Sequence, residues 1–98
     1  MYLKVHERMG KKVVALCDEE LLGEVYEEGD LVLDLKKYKD FYAGKIVDEE
    51  EAKKHLKRFD SANIVGEKSV LLAISLGLCK KSEVKTIAKI PHIQIYKF

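Results

Sequence analysis

The chain has 98 residues, 47% of them hydrophobic, which fits one domain with a modest core and excludes two. No apolar run approaches the roughly 20 residues needed to cross a bilayer, and the N-terminus lacks the basic-then-apolar layout of a secretory signal; a soluble, cytoplasmic protein with no membrane partner is expected. A formal net charge of +1 hides an asymmetry: residues 1–51 carry 8 Lys and Arg against 14 Asp and Glu, and residues 52–98 carry 10 against 3, a split able to steer an anionic partner if the two segments do not interleave in the fold.

Residues 2–8 and 12–17 read as two strands around the turn Met9-Gly10-Lys11. Val13–Cys17 is apolar on both faces and belongs in the middle of a sheet. Asp18 can cap a short helical turn through Glu19–Leu22, ended by Gly23. Leu31–Leu35 alternates as a strand does, and Phe41–Val47 reads as a further strand or extended segment interrupted by Gly44. Asp48 opens the clearest helix: Glu51 follows three residues on, Glu49 and Glu50 fill the first turn, and Ala52, Leu56 and Phe59 form its apolar stripe up to Asp60. Ala62–Val65 should be a buried strand running straight into a helix over Glu67–Leu76, with Gly77-Leu78 as its C-terminal cap. A short strand Val84–Ile87 and a closing strand Ile90–Phe98 complete the chain. Early strands with short connections, then strand–helix–strand alternation, predict a single α+β domain over residues 1–98, with a mixed or mainly antiparallel sheet and two main helices on one face.

Two constellations carry candidate chemistry. Gly66-Glu67-Lys68-Ser69 stands where a strand breaks into a helix, so its amides suit a phosphate or carboxylate. It lacks the adjacent Gly-Lys pair and the upstream glycine of a P-loop, which excludes a nucleotidase and leaves either a generic anion site or an ordinary turn. The second is a pair of polar strand faces: Tyr2, Lys4, His6 and Arg8 at one end of the chain, His92, Gln94, Tyr96 and Phe98 at the other. Aromatic, basic and amide groups of this kind stack on bases and contact phosphates when both strands lie open in one sheet, although any solvated sheet face alternates similarly. Lys80, Lys81, Lys85 and Lys89 supply further positive charge.

His6, His55 and His92 with Cys17 and Cys79 show no metal-ligand spacing, so no metal is expected, and no motif names a cofactor or a catalytic residue. The two cysteines, each among apolar neighbours, read as buried reduced thiols. Tyr26, Tyr38, Phe41 and Tyr42 read as core or rim packing rather than as a ligand cage. High Lys and Glu, no Trp, a single Asn (Asn63) and a single Gln (Gln94) form a thermophile-like composition.

Val14–Gly23, Phe41-Tyr42-Ala43-Gly44, Asn63–Val70 and Ile90–Gln94 together resemble a family of small, mostly archaeal proteins known as domain of unknown function 424. The resemblance spans almost the whole chain. It implies an archaeal cytoplasmic protein with a gene-neighbourhood link to translation, and no established activity. The expected function is a non-enzymatic binding module for RNA or a ribonucleoprotein in translation or ribosome maturation. The alternatives are a small ligand-binding protein or enzyme using the Gly66 junction, and a protein-interaction subunit that recruits a protein partner through a strand edge.

Overall fold

Two tight hairpins and one long parallel crossover generate the architecture, seen in a computed structural model that describes residues 1–97. Strands β1 (Tyr2–Arg8) and β2 (Lys11–Cys17) pair antiparallel around Met9 and Gly10, both at positive φ. At the other end of the chain β7 (Lys85–Ile87) and β8 (Ile90–Tyr96) pair around Ala88 and Lys89, whose φ values of 50° and 67° are those of a two-residue type I′ turn. Between them β6 (Ser61–Val65) lies parallel to β2 and antiparallel to β8. With the short β5 (Lys45–Ile46) beside β1, the six-stranded sheet has the order β5-β1-β2-β6-β8-β7. One parallel pair among antiparallel ones makes it the mixed sheet expected, and the apolar strands β2 and β6 take its centre.

The cross-strand register decides the two faces. Leu3, Leu16, Ile64 and Ile93 stand in one row across β1, β2, β6 and β8. They pack against Ala52 and Leu56 of the segment led by α2 (Glu49–His55) and against Val70, Leu72 and Ala73 of α3 (Glu67–Ser75), so both main helices cover this face. The helix α2 is capped as its sequence requires, with Asp48 Oδ1 accepting from the Glu51 amide at 2.9 Å. It stops at Leu56, four residues short of the expected Asp60, yet Phe59 stays buried with the Lys97 ammonium 4.0 Å from its ring centre. Helix α3 closes on a full Schellman motif: Leu78 N donates to Ala73 O, Gly77 N to Ile74 O, and Gly77 takes φ 73°.

The opposite face carries a second, smaller apolar cluster. Ala15, Cys17 and Val65 are covered there by Leu21, by Leu35 and by Tyr42. The cover comes from a 3-10 turn Glu19–Leu21, a two-stranded hairpin β3 (Val25–Glu28) and β4 (Leu31–Asp34), and the short helix α1 (Lys39–Tyr42). Two expectations fail here. Phe41 and Tyr42 are helical rather than extended, because burying Tyr42 over β2 and seating Phe41 on His6 outweighs the weak strand pattern of that segment. Strand β3 was not expected at all, since its Val25-Tyr26-Glu27-Glu28 sequence buries only Tyr26 in part. No helix among the described residues is long and apolar enough to cross a membrane.

Candidate functional site

The Gly66 junction is where sequence and structure part most clearly. Strand β6 does run into α3 there, and the α3 amides do hold an anion, but the anion is internal. Buried Asp18 accepts from Lys68 N at 3.0 Å, from Ser69 N at 2.8 Å and from Ser69 Oγ at 2.6 Å. These are the N2 and N3 donors that an N-cap side chain ordinarily satisfies. Asp18 makes no side-chain cap on its own Glu19–Leu21 turn, contrary to expectation. Gly66, at φ 106° and ψ 156°, has no room for a side chain: a Cβ would fall 2.6 Å from Asp18 Oδ2 and closer still to Cγ. The anion site assigned to Gly66, Glu67, Lys68 and Ser69 is therefore corrected: the Lys68 and Ser69 amides and the Ser69 hydroxyl are engaged by Asp18, while the Glu67 and Lys68 side chains point to solvent.

The polar faces of the terminal strands share one side of the sheet, though they are not adjacent. Three rows run across β1, β2, β6 and β8: Tyr2–Cys17–Val65–His92, Lys4–Ala15–Asn63–Gln94, and His6–Val13–Ser61–Tyr96. The first row lies at the covered end, leaving Tyr2 and His92 half-buried. The His92 Nε2 is buried with no hydrogen-bond partner among the described residues, and burial, helped by Lys85, lowers the imidazole pKa below 6.5. Two β1 residues are committed to α1. Lys4 Nζ donates to Asp40 O at 2.7 Å, while His6 Nε2 lies 2.8 Å from Phe41 O and its ring stacks on Phe41 at 4.6 Å. Arg8, Gln94 and Tyr96 remain exposed, and Arg8 pairs across the hairpin with exposed Lys11. Phe98 lies outside the described residues.

The second row holds a feature that strand-by-strand reading missed. Asn63 and Gln94 are cross-strand partners, and they form the floor of a cleft of about 420 Å³ between the sheet, β4 and α1. Leu33, Leu35, Tyr38, Phe41 and Tyr42 wall it. Phe41 and Tyr42 meet edge to face at 5.1 Å, while Tyr38 is 54% exposed, with the Lys37 ammonium 5.5 Å from its ring centre. The volume lies within the roughly 300–1,000 Å³ of small-molecule sites, and apolar walls with a few polar groups are their usual composition. A carboxamide offers donors and an acceptor together, and Tyr96 Oη donates to Gln94 Oε1 at 3.1 Å, extending the polar floor to the open end of the sheet. Exposed Lys36, Lys37 and Lys39 flank Tyr38 in sequence. Asp34, also on the rim, spends its Oδ1 on the Lys36 and Lys37 amides.

Residues 6–98 match the family described as protein of unknown function (DUF424). The chain belongs to this family. A solved structure of an uncharacterized conserved protein from Methanopyrus kandleri shares the fold at TM-score 0.81 and 27% identity, over 97% of this chain and 89% of that one. A comparison with curated proteins finds no match.

In this DUF424 chain both thiols are free, and they lie on opposite sides of the sheet. Burial, with Asp18 and Glu20 nearby, pushes Cys17 up to about 12, so it stays a thiol, and its Sγ donates to Asp18 O at 3.3 Å. Cys79, half-buried, is also raised, by burial and then Glu83. Neither has the lowered pKa of a reactive cysteine. Tyr42 likewise rises to about 12 through burial, so its hydroxyl stays protonated.

Proposed function

We propose that this protein is a non-enzymatic, cytoplasmic binding module that holds single-stranded RNA, free or in a ribonucleoprotein, during translation or ribosome maturation. The observation that supports this reading best is the pairing of Asn63 with Gln94 beneath aromatic walls. A base edge presents adjacent donors and acceptors to carboxamides, and its face stacks on exposed aromatic rings such as Tyr38 and Tyr96. Arg8 and Lys11 at the open end of the sheet, with Lys36, Lys37 and Lys39 at the rim, are exposed cations and, in this reading, would meet the phosphates. Lys4 is left out of this set because its ammonium is already bonded to α1.

Fluorescence anisotropy with a labelled single-stranded oligoribonucleotide tests the reading. Affinity should fall with salt at a log–log slope of about −0.7 per phosphate contact. Replacing Arg8 and Lys11 together should flatten that slope. Replacing Tyr38 or Tyr96 by Ala should cost about 1–3 kcal/mol in stacking and leave the slope unchanged. Absence of binding at low salt would refute the proposal.

A further inference from the structure

We propose that the outer side of α3 is a self-complementary interface, through which two copies of this chain pair about a two-fold axis running along the helix. The observation is the position of Leu71. It is 57% exposed and stands between two clefts, of about 570 and 610 Å³, both of which it lines. At about 100° per residue, Lys68 falls on one side of Leu71, and Val70 and Ile74 on the other. The Lys68 side faces the first turn of α2 and is lined by Asp48, Glu49 and Glu50. The opposite side faces β7 and β8 and is lined by Val84 and Pro91 with Lys81 and Lys89.

The charge asymmetry of the sequence thus does not average out at this surface. An acidic cleft from the first part of the chain and a basic cleft from the second lie side by side, with an exposed leucine between them. Lys68 and the Met1 amino group on the acidic side, and Glu67 on the basic side, reduce the contrast without reversing it. A two-fold axis along α3 brings each acidic side onto the basic side of the other copy and leaves Leu71 against Leu71. Isologous contacts demand this kind of self-complementarity. A partner of uniform charge would meet one cleft favourably and be repelled by the other, which is why a second copy is the occupant that fits. The face lies across the sheet from the Asn63–Gln94 cleft, so the pairing is independent of what that cleft binds.

Sedimentation equilibrium across a range of protein concentrations reads the result directly. The wild-type chain should approach twice its 11.2 kDa mass. The dimer should weaken at least tenfold between about 0.1 M and 1 M salt, as the screening length shortens from about 10 to 3 Å. Leu71→Asp should be monomeric. Lys81→Glu/Lys89→Glu and Glu49→Lys/Glu50→Lys should each be monomeric alone and form a heterodimer when mixed. Circular dichroism checks that each variant is folded, and Lys81→Glu/Lys89→Glu leaves the α2 first turn intact should the other variant lose that helix. A wild-type chain that stays monomeric at every concentration, a dimer that survives Leu71→Asp, or folded charge-reversed variants that fail to pair would overturn the proposal.

Discussion

Removing the Asp18 carboxylate should cost more stability than any other single polar substitution in the chain. In Asp18→Ala the Lys68 and Ser69 amides lose an N-cap acceptor, worth about 0.5–2 kcal/mol. The buried Ser69 hydroxyl also loses its bond to a charged group, which leaves a desolvated donor at about 1–3 kcal/mol. Together these losses come to about 1.5–5 kcal/mol. Against the roughly 5–15 kcal/mol expected for a domain this size, and at about 4–8 °C per kcal/mol, that lowers the melting temperature by about 6–40 °C. Asp18→Asn keeps the volume and one acceptor but turns an NH2 group toward a donor amide, and should cost about 1–3 kcal/mol. Guanidinium unfolding followed by circular dichroism measures both, and an Asp18→Ala/Ser69→Ala cycle should show a coupling of about 0.5–3 kcal/mol. A loss below about 1 kcal/mol in Asp18→Ala would refute the internal-anion account of the Gly66 junction.

Gly66→Ala should destabilise comparably, through the overlap with Asp18 and the positive φ together, measured by the same unfolding curves. His92 is held below its ordinary pKa of 6.5, so its contribution is present above that value and is lost as pH falls through the folded-state pKa; an imidazole titration by NMR should place the midpoint below 6.5. Cys17, raised from 9.0 to about 12, and Tyr42, raised from 10.0 to about 12, contribute stability below those ordinary values that is lost as pH climbs toward 12; thermal unfolding measured between about pH 8 and about pH 11 should show the decline begin near pH 9.

Local signals in this sequence were legible wherever their partners are close in the chain. Asp48 and Glu51 share one helical turn, Gly77 and Leu78 close the helix they follow, and the apolar residues of β6 stop where α3 begins. Asp18 shows the opposite case. Read locally it caps the next turn, but its partners lie 50 and 51 residues away, and only the parallel pairing of β2 with β6 brings the end of one strand beside the helix that follows the other. The Asn63–Gln94 floor was hidden for a similar reason: Gln94 reads as one member of a polar strand face and Asn63 as a residue inside an apolar strand, and the pairing exists only in the β6–β8 register. The one available clue was compositional, a lone Asn inside an apolar strand and a lone Gln in the closing one. Helix α1 had no such clue, since its four residues are held by Phe41 on His6 and Tyr42 over β2 rather than by helical spacing of their own.

Because the sequence contains one Asn and one Gln, the side-chain NH2 signals of Asn63 and Gln94 are the only carboxamide pairs in a nitrogen–proton correlation spectrum and can be told apart by a single substitution, Asn63→Asp. Titrating unlabelled single-stranded RNA into labelled protein at low salt should shift both pairs, together with the Tyr38 and Tyr96 amides, while the Lys68 and Ser69 amides stay in place. If both carboxamide pairs remain unmoved at saturating RNA, the cleft is not an RNA site and the central claim is wrong.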